Sequence, residues 1–401
     1  MRAEHLMNLN IRLRSLAIFR DLLDDPVISA LGAFLASVDI EPTAETVSKY
    51  AEFVSRLYET GSSSLAKYVQ SVVGDNENAY IRLIGEGKQP CIEMEGCVGQ
   101  ELTVLQAVAD LTPETLRSGL YWSGFLPAFP VGKVNIADTY KTRCENIGQY
   151  GYGIYARYRM FYINPAGQIV PVRNPDKIRL SSLVDYKREQ KIILDNTLAL
   201  LEGKPAANIL LTGDAGTGKS STVKAIVNEL YPQGLRILEV RKEQLHEIPG
   251  ILDTLNSNPL KFILFIDDLS FQKDDDNFSA LKAILEGSVS AKSSNVVIYA
   301  TSNRRHLVKE TFSDRDGDDV HRNDTMQEII SLSERFGIHI TFQKPDKKTY
   351  LDIVHHLAAE RGVEMEESEL DMQAERYALG RGGRSARAAT QFVDSLVAGK
   401  E

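Results

Sequence analysis

The sequence predicts an α/β protein, built on a five-stranded parallel, doubly wound sheet with a mainly helical segment before it and only helices after it. Three observations carry that prediction. Short apolar runs alternate with helical patterns between residues 178 and 344, three-four apolar spacing dominates the first 150 residues, and no strand-like run follows Pro345. Strands separated by helices need crossover connections, and crossovers of one hand build a parallel sheet.

In chain order, residues 1–150 are expected to be a mainly helical domain. In "AETVSKYAEFVSRLYETG" the residues Val47, Tyr50, Ala51, Val54, Leu57 and Tyr58 recur at helical spacing. Residues 151–177 read as a β-hairpin linker, with two β-rich runs flanking Asn164-Pro165-Ala166-Gly167. Its tyrosines suit a packed sheet edge better than a stacking platform. Residues 178–344 hold the alternation, with strands at Asn208–Thr212, Arg236–Val240, Phe262–Asp267, Asn295–Thr301 and Ile338–Phe342. Residues 345–401 are helical patterns alone.

Composition narrows the classes. A chain of 401 residues, 43% hydrophobic and 25% charged, has enough apolar material for two or three packed cores. A net charge of −9 gives no global basic field for nucleic acid or an anionic membrane. The 3 cysteines, Cys91, Cys97 and Cys144, have neither zinc-site spacing nor an even count, which suits a reducing compartment. The first 25 residues mix charged with apolar positions and lack a signal core, and "LYWSGFLPAFPVG" is too short to span a bilayer. A cytoplasmic protein is expected.

The chemistry concentrates in three stretches. "GDAGTGKS", Gly213 to Ser220, satisfies G-x-x-x-x-G-K-[ST] between a strand run and a helix run. That order brings backbone N–H groups of Gly213, Asp214, Ala215, Gly216, Thr217, Gly218 and the helix start through Ser221 towards a phosphate. Lys219 is expected to reach the β- and γ-phosphates of a nucleotide and Ser220 to ligate Mg²⁺. A tight turn that happens to carry Lys-Ser is the plainer alternative, and the flanking strand and helix argue against it. "KFILFIDDLSF" ends an apolar strand on Asp267-Asp268, where Asp267 suits the Mg²⁺ shell and Asp268 the activation of water. A helix cap is the alternative use of such an acid. In "NVVIYATSNRRHL", Asn303 follows a strand and suits orientation of that water, although turn asparagines are common there.

Two arginine groups complete the series. Arg335, in "ISLSERFGIHITF", precedes the last strand and is placed to reach a neighbouring subunit's γ-phosphate. Arg384 and Arg387, in "GRGGRSARAATQFV", open the last helix, and either suits a nucleotide contact from the tail; most arginines are plain surface residues.

Taken in order, these residues resemble an AAA+ ATPase over residues 178 to 398, and "FILFIDDLSF", "VVIYATSNRRHL", "ISLSERFG" and "GRGGRSARAATQFV" resemble a bacterial family of predicted ATPases called domain of unknown function 815. The resemblance implies an αβα sandwich over residues 178–344 with a helical lid over 345–401. It implies Asn303 as sensor 1, Arg335 as arginine finger and Arg384 or Arg387 as sensor 2. It lays Leu183, Val184 and Tyr186 against the adenine ring of ATP. Because such a finger acts in trans, it also implies a homo-oligomer, most often a hexamer.

What the ATP drives is less legible. Remodelling of a protein client is the first reading, but "EVRKEQLHEIPGILDTLNSNPLK" offers only Ile248-Pro249-Gly250 in place of the aromatic pore step that threading relatives carry. A nucleic-acid-linked loader or motor draws support from Arg304-Arg305-His306, against the acidic net charge and without a reader motif. A slow nucleotide-switched scaffold is the third reading, because Asp268 stands where many such ATPases have the longer Glu. "SDRDGDDVHRND" reads as an acidic loop without the full calcium-loop pattern, and His355-His356 as neighbours that point apart.

Overall fold

The computed structural model describes residues 2–38, 43–120, 122, 124–270, 276–286, 294–303 and 334–399. The chain divides into two compact units, Met1–Arg157 and Tyr158–Glu401.

The described part of the first unit is helical: α1 (Arg2–Arg14), α2 (Pro26–Ala36), α3 (Ala44–Glu59), α4 (Leu65–Asp75), α5 (Ala79–Gly85), α6 (Ile92–Ala109), α7 (Pro113–Leu120) and α8 (Ile136–Glu145), then the single turns α9 (Ile147–Tyr150) and α10 (Ile154–Arg157). Side-chain caps fix several starts. Asp25 accepts the N–H groups of Val27 and Ile28 ahead of Pro26, Thr43 that of Thr46, Ser64 that of Lys67 and Asn78 that of Ile81. Each such cap stabilises its helix by about 1 kcal/mol. On α3 the buried stripe is Thr46, Tyr50, Phe53, Val54 and Leu57. Ala51 and Tyr58, expected on that face, are exposed, because each lies one residue, about 100° of helix, past the stripe. One carboxylate is deep in this core: Glu101 is 5% exposed and accepts N–H groups from Ala17, Ile18 and Phe19. Those donors replace the water that burial removes.

The described residues of the second unit form one seven-stranded sheet. Its strands are β1 (Met160–Ile163), β2 (Ile169–Pro171), β3 (Ile209–Gly213), β4 (Leu235–Glu239), β5 (Lys261–Ile266), β6 (Val296–Ser302) and β7 (Ile338–Phe342), in the order β2-β1-β4-β5-β6-β3-β7. All five strands expected between residues 178 and 344 are present and parallel to their neighbours. The hairpin, read from sequence as a linker, supplies the other two. β1 runs parallel to β4, with Met160 opposite Ile237, and β2 closes back on it antiparallel. Its turn is fastened by the Asn164 side chain, whose Oδ1 accepts from Ala166 and Gln168 N–H. Phe161 packs at 1% exposure.

β3 and β6 are buried at every position, as strands covered on both faces must be. Each Leu, Ile or Phe so buried contributes about 1.5–3 kcal/mol of transfer free energy. Among the described residues, the helices beside this sheet are α11 (Lys187–Leu201), α12 (Lys219–Leu230), α13 (Ile248–Asn256) and α14 (Asp276–Glu286). α11 is pinned to the sheet through Tyr299, whose hydroxyl accepts from Asn196 at 3.0 Å and pairs with the Thr197 hydroxyl at 2.8 Å. The last helices, α15 (Lys347–Glu360), α16 (Glu367–Gly380) and α17 (Ala386–Val397), share a small core of their own around Tyr350, Val354, Ala374, Ala389 and Phe392.

The strand order positions the site. After β3 the chain crosses over β6 and β5 to form β4, whereas β7 lies on the other side of β3. Connections therefore part at the carboxyl end of β3, which is where open α/β sheets leave a crevice.

Candidate nucleotide-binding site

At that end of β3 the backbone turns in a way only glycine allows. Gly213 has φ +137, and a Cβ there would meet the Phe342 carbonyl oxygen at 2.1 Å. Gly216 and Gly218 also lie at positive φ, +81 and +91. Gly218 is the N-cap of α12, so the loop runs directly into a helix start whose first N–H groups have no partner within the helix.

Lys219 is 5% exposed, and its ammonium donates to Gly213 O at 2.8 Å, Asp214 O at 2.9 Å and Asn303 Oδ1 at 3.1 Å. Burial pulls its pKa below the ordinary lysine value, against the opposing pull of Asp267, Asp214 and Asp268. Ser220 Oγ donates to Asp267 Oδ1 at 2.7 Å. Beside it, Asn303 Nδ2 donates to Asp268 Oδ1 at 2.6 Å. The loop, the end of β5 and the end of β6 thus meet as the sequence order suggested. One participant was not legible: Thr301 Oγ1 donates to Asp267 Oδ1 at 2.5 Å and accepts the Asp268 N–H at 2.9 Å. Its only sequence signal is a polar residue two before Asn303 at a strand end.

These groups line a cavity of about 740 Å³, together with residues of the segment before α11 and of helices α15 and α17. Such a volume suits a nucleotide-sized ligand. Leu183, Val184 and Tyr186 all line it, as do Ala215 to Ser221. Gly213 and Asp214 stand behind the lining and offer their carbonyls to Lys219. Tyr186 takes the left-handed conformation at φ +67, its hydroxyl donates to Gln343 O, and its ring lies 4.8 Å from that of Phe342. Burial raises the phenol's pKa. Gln190 holds this segment from behind, donating to Asp185 O at 2.8 Å, and Val184 packs on the core of the last three helices.

The two arginines of the tail separate. Ser385 caps α17, so Arg387 falls in its first turn, lines the cavity and donates its N–H to Gly216 O at 3.3 Å. Arg384 lies outside the lining and forks onto Glu375, Nε to Oε1 at 2.8 Å and Nη2 to Oε2 at 2.6 Å. Arg335 is also outside the lining, three residues before β7 at the sheet edge. Ile248 is fully buried while Pro249 and Gly250 are exposed, and the three form the first turn of α13, a helix start rather than a projecting loop. His355 Nε2 pairs with Asp371 Oδ1 at 2.6 Å, and among the described residues no cluster of metal-ligating side chains is found. Arg304-Arg305-His306 and the acidic loop of residues 313–324 lie outside the described residues. Among the described residues no helix is long and apolar enough to cross a membrane.

The donor set fits a magnesium nucleotide: a buried ammonium, a glycine loop at a helix N-terminus, and a hydroxyl–carboxylate pair of the hard oxygen donors that Mg²⁺ prefers. A mainly parallel α/β sheet with this loop at its switch point, and a three-helix unit of which α15 and α17 line the cavity, define the AAA+ class of P-loop proteins. Within that class, the chain belongs to the family described as Protein of unknown function (DUF815), whose model matches residues 156–400. No curated protein matches its sequence significantly. Among solved structures, it is similar to the Thermotoga maritima RuvB Holliday junction branch migration motor at 19% identity and a TM-score of 0.38, over 56% of this chain and 67% of that one. It is also similar to a chain of the E. coli MS115-1 HORMA:CdnC:Trip13 complex at 12% identity and a TM-score of 0.38, over 55% of this chain and 93% of that one.

Proposed function

We propose that this chain binds Mg-ATP in the cavity at the end of β3 and hydrolyses it, and that the energy remodels a protein partner or complex. The observation that carries the reading is the convergence on one cavity of Lys219, the Ser220–Asp267 pair, the Asp268–Asn303 pair and Arg387.

In this reading the loop N–H groups of residues 215–221 cradle the phosphates, and Lys219 leaves the carbonyls of Gly213 and Asp214 for the β- and γ-phosphate oxygens. Ser220 and Asp267 hold the Mg²⁺, which neutralises charge on the phosphates when bound. Asp268 accepts a proton from the attacking water, Asn303 orients that water, and the bond between the γ-phosphorus and its bridging oxygen breaks to give ADP and phosphate. Arg387 serves as the lid's contact to the phosphates, since Arg384 is engaged by Glu375. Val184 and Tyr186 flank the base. Arg335 acts in trans on a neighbouring copy in a homo-oligomer, which its position before the edge strand β7 supports.

The test is phosphate release from ATP with nucleotide titration alongside. Lys219→Ala is expected to abolish binding, and Asp268→Asn to keep binding while turnover drops about 10²–10⁴-fold. Normal ATP binding by Lys219→Ala would reject the site. A slow nucleotide-switched scaffold is the second reading, favoured by the Asn303 hydrogen bond that holds the short Asp268 carboxylate. Single-turnover hydrolysis far slower than nucleotide exchange would select it.

A further inference from the structure

We infer that Thr301 is the positioning residue that sets both acidic groups of the site through a single hydroxyl. The inference rests on the ATPase reading above.

Thr301 lies in β6, is 2% exposed, and lines the cavity. A hydroxyl carries one proton and accepts through its lone pairs, so it can serve two partners at once only if one is an acceptor and the other a donor. Here both roles are filled by consecutive residues of β5's end. Thr301 Oγ1 donates to Asp267 Oδ1 at 2.5 Å and accepts from Asp268 N at 2.9 Å. The Thr301 carbonyl adds a third contact, accepting the Leu269 N–H at 2.7 Å.

What these contacts hold is an uncommon backbone. Asp268 has φ +54, a left-handed conformation uncommon outside glycine, though Asp and Asn adopt it more readily than other residues. The conformation turns the chain out of β5 and leaves the Asp268 carboxylate against Asn303 Nδ2. Asp267 is fixed from the other side, because Oδ1 takes the Ser220 hydroxyl as well as that of Thr301. In this scheme Thr301 acts through its neighbours: it orients the carboxylate that faces the metal and the backbone that aims the base.

Removing the hydroxyl while keeping the shape cuts both links, and replacing it by serine restores both. Thr301→Val is expected to lower kcat by about 10–100-fold, the usual cost of losing a hydrogen bond that orients a metal-facing ligand, with ATP affinity nearly unchanged and more Mg²⁺ needed for half-maximal rate. Thr301→Ser is expected to recover most of kcat and the wild-type Mg²⁺ dependence. The experiment is steady-state ATP hydrolysis of the full chain at varied ATP and varied Mg²⁺, with nucleotide titration, for wild type and both variants. Thr301→Val turning over like the wild type overturns the inference. So does a joint loss of ATP binding and turnover that Thr301→Ser does not repair, which marks a merely structural side chain. An inert wild type sinks the ATPase reading and this inference with it, whereas an active wild type beside an active Thr301→Val sinks only this one.

Discussion

Lys219 is the residue on which the site turns, and its surroundings give it a testable pH dependence. Burial lowers its pKa, so the folded protein releases this proton at a lower pH than an unburied lysine with its ordinary value near 10.5. A phosphate needs the charged form. ATP affinity should therefore be full at neutral pH and fall as pH rises into the alkaline range, which nucleotide titration across that range would register; an affinity that does not fall in alkali would count against the assignment. The cysteines offer a second residue-scale check. Burial pushes the Cys144 thiol to about 11, and its hydrogen bond to Glu101 raises Cys97, while Cys91 is exposed. At pH 8 only about one Cys144 in a thousand is a thiolate, so iodoacetamide followed by peptide mapping should mark Cys91 first. Early labelling of Cys144 would contradict its packing.

Among the elements, the β3–β7 pair is the most exacting. Gly213→Ala would set a Cβ 2.1 Å from the Phe342 carbonyl at φ +137, so β7 must shift or the loop must refold. A stability loss of about 2–4 kcal/mol is expected, read as a lowered midpoint in urea, with nucleotide affinity lost at the same time. Gly218→Ala is the control, since nothing lies within 4 Å of its added Cβ and only the backbone strain at φ +91 remains. It should be the milder change. The same elements explain what was legible beforehand. Runs such as "ILLTG" and "KFILFI" are apolar because both faces are covered, so sequence alone locates them. The loop is legible because phosphate binding needs glycine and lysine at fixed spacing. Thr301 was not, because its two partners come from a different strand and a hydroxyl's neighbours leave no periodic trace. The choice between Arg384 and Arg387 was equally hidden, as it depends on Ser385 taking the cap and on Glu375, from α16, engaging Arg384.

For the molecule, every described residue lining the cavity falls between Ile178 and Gln391, inside the second unit. A chain of residues 158–401 should then bind ATP with the affinity of the full protein, a tenfold weaker affinity (about 1.4 kcal/mol) being the result that contradicts it. The trans role proposed for Arg335 belongs to this scale too. Arg335→Ala should bind ATP without turning it over, and mixing it with Lys219→Ala should restore part of the rate, because one copy supplies the arginine and the other an intact loop. No recovery in such mixtures, with assembly intact, would argue for a site complete within one chain.

The hairpin has a consequence for how this unit keeps to itself. β1 covers the free side of β4, and the strand it leaves outermost, β2, is three residues long and ends in Pro171. A proline offers no N–H, and a strand this short gives an incoming chain little to pair with. Trimming the protein to begin at residue 178 would instead bare β4, whose Leu235–Leu238 run is buried in the intact sheet. That run, in which Leu235, Ile237 and Leu238 flank the buried Arg236, would become an unpaired edge, a template for pairing with other molecules. The trimmed chain should scatter light and pellet on concentration where the chain from residue 158 stays clear, so the segment that reads as a linker serves as the guard of an adhesive edge.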